Sequence, residues 1–301
     1  MKISVIIPCY NEEITIKQVI EEFRKYLPDA EINVFDNNSK DNSVILAKEA
    51  GAIVTEVNYQ GKGEVIRRAF SDIESDIYIM VDADMQYDIS KIKQYIDYFL
   101  YNKLDMLNIA REVVDENVHR KGHTFGNVVI TGFANILFGK KINDMLSGYR
   151  IFSKRFVKSF PADSRGFEIE TELTIYALQM RFPIDEISAR YFRRPEGSYS
   201  KLNTFKDGFR ILFTIIYLTM TEKPLLFFNS ISIILFIIGM FLGVGIIIEY
   251  FETLKVDRFP TAILTICLLI LSALSFSIGL IMNAIKKAIS ENRRFIYNSI
   301  K

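Results

Sequence analysis

Between Asp76 and Asp88 the chain reads DIYIMVDADMQYD, so that Asp82, Asp84, Gln86 and Asp88 place oxygen-bearing side chains at alternate positions. Oxygen donors at this spacing suit a hard divalent cation such as Mg²⁺ or Mn²⁺, which is usually held by one or two carboxylates and the phosphates of a substrate. Asp-X-Asp alone is a common pattern and also describes an ordinary polar turn. Its setting narrows the choice. Ile77 to Val81 is a short apolar run with the pattern of a strand buried on both faces. Carboxylates just past the carboxyl end of such a strand lie where open α/β sheets bind nucleotides.

Two further clusters sit at the ends of predicted strands. Lys2 to Ile7 is a buried strand stopped by Pro8, and it leads into Pro8-Cys9-Tyr10-Asn11-Glu12-Glu13. Glu31 to Phe35 is a second strand, ending in Asp36-Asn37-Asn38-Ser39. Between and after them come helical periods (Ile16, Val19, Ile20, Phe23 and Leu27), a helix over Ser43–Ala50 closed by Gly51, and a strand over Ile53–Val57. The turn Gln60-Gly61-Lys62-Gly63 precedes a helix over Glu64–Ile73; a helix over Ser90–Leu100 and a strand over Met106–Ala110 complete the alternation. Such an order predicts βαβ units and an α/β fold with a mainly parallel sheet. The three strand-end clusters then converge on one edge. Carboxylate and amide oxygens at two of them suit a ribose and a base edge, and the third suits a cation that screens a diphosphate. This is the make-up of a nucleotide-sugar site. Gly61-Lys62-Gly63 lacks the spacing of an ATPase phosphate loop.

Beyond Arg111 the pattern is less regular, with helices predicted over Gly126–Phe138 and Glu168–Met180 and extended chain over Gly148–Phe152 and Ile184–Tyr191. A polar segment, Arg193 to Lys206, runs into an amphipathic stretch over Phe205–Leu218. Two apolar runs follow, Leu225–Ile248 and Thr261–Ile285, each about 24 residues long. At ~1.5 Å per residue each crosses the ~30 Å hydrocarbon core with some tilt. The connecting loop carries only Lys255 and Arg258 as cations, whereas Lys201, Lys206 and Arg210 precede the first run and Lys286, Lys287, Arg293, Arg294 and Lys301 follow the second. Positive-inside counting predicts a hairpin in the cytoplasmic (inner) membrane with both termini and the amino-terminal domain in the cytosol.

Lys+Arg 37 against Asp+Glu 36 leaves a net charge of +1, with no global field for nucleic acid. Cys9 and Cys267 fall in regions that should not meet, which excludes a disulfide framework and fits a reducing compartment. The opening MKISVIIPCYNEE has too short an apolar run for a signal peptide.

Five motifs, in order, resemble family-2 glycosyltransferases of the GT-A fold (Rossmann-like), in particular the branch of dolichyl-phosphate mannose synthases and bacterial polyprenyl-phosphate glycosyltransferases with carboxy-terminal membrane helices. They are IIPCYNEE, DADMQ, DMLSGYRIF, GFEIETEL and RPEGSYSKL. The resemblance implies a GT-A domain over residues 1–202, an amphipathic juxtamembrane helix over 203–222 and a membrane hairpin with a basic tail over 223–301. It implies nucleotide contacts from Pro8, Tyr10, Asn11, Glu12, Asp36, Ala83 and Lys62, and metal and diphosphate contacts from Asp82, Asp84 and Gln86. Arg111, Arg150, Arg194 and Lys201 become the candidates for phosphate binding. The partners implied are a nucleotide sugar, a polyprenyl phosphate and the membrane, and the branch includes homo-oligomers, tetramers among them.

The expected reaction is inverting transfer of a sugar from a UDP- or GDP-sugar to a polyprenyl phosphate. A phosphate monoester has its second pKa near ~6 and is already largely dianionic in the cytosol. It needs positioning and cations more than a strong base. Asp144 and Glu170 stand near the proposed acceptor side as residues that orient the sugar or take a proton, or as members of structural ion pairs. Transfer to a saccharide or protein hydroxyl would make one of them obligatory. A processive polysaccharide synthase is disfavoured because the chain has no Trp for the Gln-X-X-Arg-Trp signature and too few spans for a pore. A non-catalytic membrane scaffold retaining the fold is the reading from another class. His119 and His123, four apart, lack a third ligand for a metal.

Overall fold

A computed structural model describes residues 1–113, 131–132, 135, 139, 142–162, 169–195, 216–217 and 219–300. The chain divides into two compact units, Met1–Phe209 with Arg293–Lys301, and Arg210–Asn292.

The first unit is built on a seven-stranded sheet of β1 (Ile3–Cys9), β2 (Glu31–Asp36), β3 (Ile53–Glu56), β4 (Ile77–Met80), β5 (Met106–Val113), β6 (Arg150–Ser153) and β7 (Ile184–Tyr191), in the order β3-β2-β1-β4-β6-β5-β7. The pairs β1–β2, β2–β3, β1–β4 and β5–β7 are parallel, while β6 runs antiparallel to both β4 and β5. The central strands are buried without alternation (every residue of β4 is buried), as expected where helices cover both faces. Those helices are α1 (Ile16–Tyr26), α2 (Ser43–Glu49), α3 (Lys62–Asp72), α4 (Ile92–Tyr101), α5 (Lys154–Ser159) and α6 (Ile169–Met180).

Pro8 does not stop the first strand but lies within it, paired with Phe35. Ile6 O accepts from Val81 N on the β4 side, and Cys9 O accepts from Asn37 N on the β2 side. Pro8 is in phase with Ile6, so its donorless nitrogen faces β4 beyond the last paired residue and no ladder bond is lost.

Alternate residues feed two apolar layers. Val5, Ile7, Ile77 and Ile79 pack with α1 and α4 residues such as Ile20, Phe23 and Ile96. Ile6, Tyr78, Met80 and Phe152 pack on the other face with Val65, Ile66, Phe156, Leu173 and Tyr176. The last residues of the chain join this unit. Tyr297 stacks on Phe182 with ring centroids 4.3 Å apart, and its hydroxyl donates to Asp105 Oδ2 at 2.6 Å. An aromatic ring with a buried carboxylate to bond ties 293–301 to this unit.

The second unit contains α7 (Pro224–Thr253) and the part of α8 (Phe259–Ser299) up to Asn292. Both helices are long and apolar enough to cross a membrane, and only 11% and 22% of their most apolar windows are buried within the chain. They are not core helices of a globular domain. Small residues let them approach closely: the Ser232 and Ser272 hydroxyls are 3.1 Å apart, Ser275 Oγ donates to Phe228 O at 2.9 Å, and a Cβ on Gly279 would stand 3.0 Å from that of Phe228. Lys286 donates to the Glu222 carboxylate at 3.0 Å. Of the expected amphipathic segment 203–222, the structure describes only 216–217 and 219–222.

Candidate active site

At the carboxyl ends of β1 and β2 the loops are held by hydrogen bonds, with no ion pair among the described residues. Asn11 has a positive φ of 52°, its backbone N–H donates to Ser39 Oγ at 2.8 Å, and its Oδ1 accepts from Lys40 N at 2.7 Å. Glu12 N donates to Ser43 Oγ at 2.8 Å. Pro8, Tyr10 and Glu12 are half-buried around this loop. Asn37 ties β2 to the following turn by donating to Val57 O (3.1 Å) and Tyr59 O (2.7 Å) and accepting from Gly61 N (2.7 Å). Gly61 has φ 137°, a backbone state that favours glycine, and it sets Lys62 at the first position of α3. Asp36 is 3% exposed; its Oδ2 accepts from Ser39 N at 3.0 Å, while its buried Oδ1 has no hydrogen-bond partner among the described residues. A buried carboxylate oxygen left in this state calls for a donor, such as a base N–H or a ribose hydroxyl.

The loop after β4 carries the charge. Asp82 Oδ1 receives Lys62 Nζ at 2.5 Å, and the same ammonium reaches Glu170 Oε1 at 2.5 Å. Burial would lower the Lys62 pKa, but Asp82 and Glu170 overcome it and the group is raised, a fixed cation. Burial raises Glu170, with Lys62 opposing, and its Oε2 is buried without a partner among the described residues. Asp84 is 3% exposed and receives Arg194 NH2 on Oδ2 at 2.7 Å. Burial and then the neighbouring Asp82 push its pKa up to about 6, against the pull of Arg194. Ala83, between the two acids, is buried in the core, and Met85 turns the chain with φ 57°.

Gln86, expected on the metal, is bonded within the protein at both ends of its amide. Its Nε2 donates to Phe192 O at 2.9 Å, and its Oε1 accepts from Tyr191 OH at 2.8 Å and Arg194 Nε at 2.9 Å. The side chain staples this loop to the end of β7, and one edge of the Arg194 guanidinium holds its Oε1 together with Asp84 Oδ2.

The β4–β6 register explains a residue that sequence reasoning missed. Met80 pairs with Arg150 and Ile79 with Ile151 in antiparallel sense, so continuing the ladder brings Gly148 opposite Asp82. A Cβ on Gly148 would lie 2.2 Å from Asp82 Oδ2 and 2.8 Å from Oδ1. The carboxylate rests on the glycine, and no other residue leaves it room. Tyr87 OH accepts from Gly148 N at 2.9 Å and lies 3.3 Å from Ser147 Oγ, a second tie between the two loops. The signal was present in Ser147-Gly148 within the motif assigned to the acceptor side, but only the strand pairing reveals what the glycine faces.

Arg111 and Asp144, expected separately, form a two-pronged pair: Nε to Oδ2 at 2.7 Å and NH2 to Oδ1 at 2.8 Å, with the Arg111 backbone N–H on Oδ2 at 3.0 Å. Arg150 is fully buried and folds back on its own turn, donating to Ser147 O (2.9 Å), Met145 O (2.7 Å) and Thr174 Oγ1 (2.8 Å). Burial pushes its pKa down to about 10, and it remains a cation at neutral pH. Its expected place on a phosphate therefore meets a structural arrangement: pairing opposite Met80 directs it into the layer beneath the sheet, where it braces the turn that carries Gly148. Lys201, His119 and His123 lie outside the described residues.

The donor set can be tested against a divalent cation. Among the described residues no three His, Cys, Asp or Glu side chains cluster to make a protein-only cage. Two adjacent carboxylates, each already attracting a basic group, fit the mode in which Mg²⁺ or Mn²⁺ is shared with substrate phosphates.

A mainly parallel sheet with helices on both faces, strand-end loops gathered at one edge and paired carboxylates after β4 define a glycosyltransferase domain of the GT-A class. The chain matches the model of Glycosyl transferase family 2 over residues 4–160, more than half its length, and belongs to that family. An uncharacterised protein of Shigella flexneri is 49% identical over 157 residues, covering 52% of this chain and 96% of the relative. A dolichyl-phosphate hexose transferase of Haloferax volcanii is 24% identical over 229 residues, covering 73% of this chain and 95% of its own. The crystal structure of glucosyl-3-phosphoglycerate synthase from Mycobacterium tuberculosis, in complex with Mn²⁺, UDP and phosphoglyceric acid, superposes with a TM-score of 0.58 at 22% identity over 72% of this chain and 77% of that one, a likeness of fold.

Proposed function

We propose that this glycosyltransferase moves a sugar, with inversion, from a nucleoside diphosphate sugar to a polyprenyl phosphate at the cytoplasmic face of the membrane. The observation that carries the reading is the meeting at one sheet edge of Asp36, with its unpartnered buried oxygen, and the Asp82–Asp84 carboxylates with Lys62 and Arg194 beside them. Asp36 would take a hydrogen bond from the base or ribose, and Asp82 and Asp84 would hold a Mg²⁺ or Mn²⁺. That cation, when bound, acts as a Lewis acid on the diphosphate leaving group. Lys62 keeps Asp82 in place, and Arg194 and Arg111 are the cations on hand for phosphate.

A hydroxyl acceptor would require a carboxylate base. Asp144 is held by Arg111 and Glu170 by Lys62, which favours a nucleophile that arrives already ionised. A lipid phosphate is such a nucleophile. The two apolar helices support a membrane anchor, and the packing of Tyr297 within the first unit supports a tail on the same side as the sheet. The Haloferax relative, by its name, acts on dolichyl phosphate, and the mycobacterial synthase was crystallised with Mn²⁺ and UDP; both support this choice of substrates.

The test begins with thermal shift of the purified full chain against UDP- and GDP-sugars with Mn²⁺. Transfer of radiolabelled sugar to a short-chain polyprenyl phosphate follows. One nucleotide series is expected to stabilise the protein, and Asp84→Ala or a chelator is expected to reduce transfer by about 10²-fold or more, the scale of losing one electrostatic stabiliser. Transfer that survives both treatments removes the metal from the reaction.

A further inference from the structure

Asp82 and Asp84 each carry a basic partner, but the two partners are held differently. Lys62 is 9% exposed, opens α3 and is shared with Glu170, so withdrawing it would strand two carboxylates at once. Arg194 is 27% exposed and stands three residues past the end of β7, outside any regular element. It grips Asp84 Oδ2 at 2.7 Å and Gln86 Oε1 at 2.9 Å. If Arg194 left, Gln86 Oε1 would still accept from Tyr191 OH and its Nε2 would still donate to Phe192 O, so the loop would keep its shape. Asp84 would lose a counter-charge, and its side chain is only 5% exposed.

We propose that Arg194 is a place-holding cation: it neutralises Asp84 while no divalent ion is bound, yields that carboxylate to the ion, and is thereby released toward the phosphates that arrive with it. The inference rests on the reading of Asp82 and Asp84 as the cation site. Lys62 is the permanent counter-ion and Arg194 the exchangeable one. An arginine suits the second task because its planar fork, now spread over a carboxylate and an amide oxygen, matches two phosphate oxygens equally well. The exchange also makes metal and nucleotide depend on one another, since only together do they compensate Asp84 and give the guanidinium a new anion.

The proposal makes opposite demands on one substitution. In the full chain at pH 8, where loss of Arg194 leaves Asp84 ionised, Mn²⁺ titrated without nucleotide and followed by loss of the free-ion EPR signal is expected to bind Arg194→Gln about fivefold more tightly than wild type, because the competing cation is gone. UDP or GDP, whichever stabilises the wild type, is expected to bind the same variant about fivefold more weakly in saturating Mn²⁺. Arg194→Lys, which keeps the charge but not the fork, is expected to restore the wild-type Mn²⁺ affinity and only part of the nucleotide affinity. Mn²⁺ affinity that is unchanged or weaker in Arg194→Gln overturns the place-holding role, and unchanged nucleotide affinity overturns the release toward phosphate. The cation-site reading is judged separately by Asp84→Asn with UDP or GDP present: if this variant binds Mn²⁺ as the wild type does, or if the wild type binds none under these conditions, that reading falls and the inference with it.

Discussion

The two flanks of β4 treat charge in opposite ways. On the β3-β2-β1 side the strand-end loops are fixed by hydrogen bonds without an ion pair among the described residues. Amide and hydroxyl groups (Asn11, Asn37, Ser39 and Ser43) take part, with the carboxylates of Glu13, Asp36 and Asp41, which accept from N–H and O–H groups. Asp36 keeps one buried oxygen without a partner among the described residues. On the β6-β5-β7 side carboxylates are matched with cations: Asp82 and Glu170 with Lys62, Asp84 with Arg194, Asp144 with Arg111. The first flank is a finished mould for a ligand with hydrogen-bond donors. The second is charge-balanced at rest, so a ligand there must exchange partners rather than fill a space. Under the proposed function, recognition of the nucleoside and handling of its diphosphate fall on opposite sides of one strand.

The largest effect expected on the charged flank is structural. Arg150→Leu removes a buried guanidinium and strands the carbonyls of Met145 and Ser147, at about 1–3 kcal/mol each, a destabilisation of about 2–6 kcal/mol. Thermal or denaturant unfolding of the full chain reads it. A variant of wild-type stability that has nevertheless lost turnover would return Arg150 to the chemistry and blur the division between the flanks.

Gly148→Ala sharpens the comparison. The added methyl meets Asp82 Oδ2 at 2.2 Å and must push the carboxylate from its seat. A displacement on the ångström scale at a reacting centre lowers kcat by about 100-fold. Nucleotide affinity measured without metal is expected to hold, because Asp36 and Asn37 are on the other flank. Equal loss of both would show that the flanks act as one unit. Retained kcat would free Asp82 from the geometry assigned to it.

How much of this was legible in the residues follows the same line. The β3-β2-β1 flank repeats strand, loop and helix in local order, and its apolar periods at Ile16, Val19, Ile20 and Phe23 gave the helix that is observed, all four side chains buried. Asp36, Asp82 and Asp84 could be placed at strand ends because those strands run parallel and their ends share an edge. The charged flank depends on contacts distant in sequence: Lys62 with Glu170, Gln86 with Phe192, and Asp82 with Gly148. No local period encodes that β6 enters antiparallel between β4 and β5. Side chains were therefore recognisable as charged or polar there, but their partners were not. Arg150 shows the consequence, being suited by type to a ligand and turned by long-range pairing toward a structural duty.

The smallest expected effect is a matter of pH, and it again separates the flanks. The Asp84 carboxyl, pushed up to about 6 by burial and by Asp82, is raised above its ordinary value of 3.8. A raised folded-state pKa means that the native protein binds this proton more tightly than the unfolded chain does. Its contribution to the stability of the metal-free protein is full below about pH 4 and is lost as pH rises through about 6. Cation binding has the reverse slope, since only the ionised carboxylate is a ligand, and Mn²⁺ affinity is expected to fall by about tenfold per unit once pH drops below about 6. Titrations of the full chain at pH 5, 6 and 7 would show both trends, and Asp84→Asn should flatten each of them. Because Asp84 receives the Arg194 guanidinium, Arg194→Gln removes a charge that favours ionisation and should move the Mn²⁺ midpoint to higher pH. A midpoint that stays in place would mean that the pair is too loosely formed in solution to influence the acid it faces.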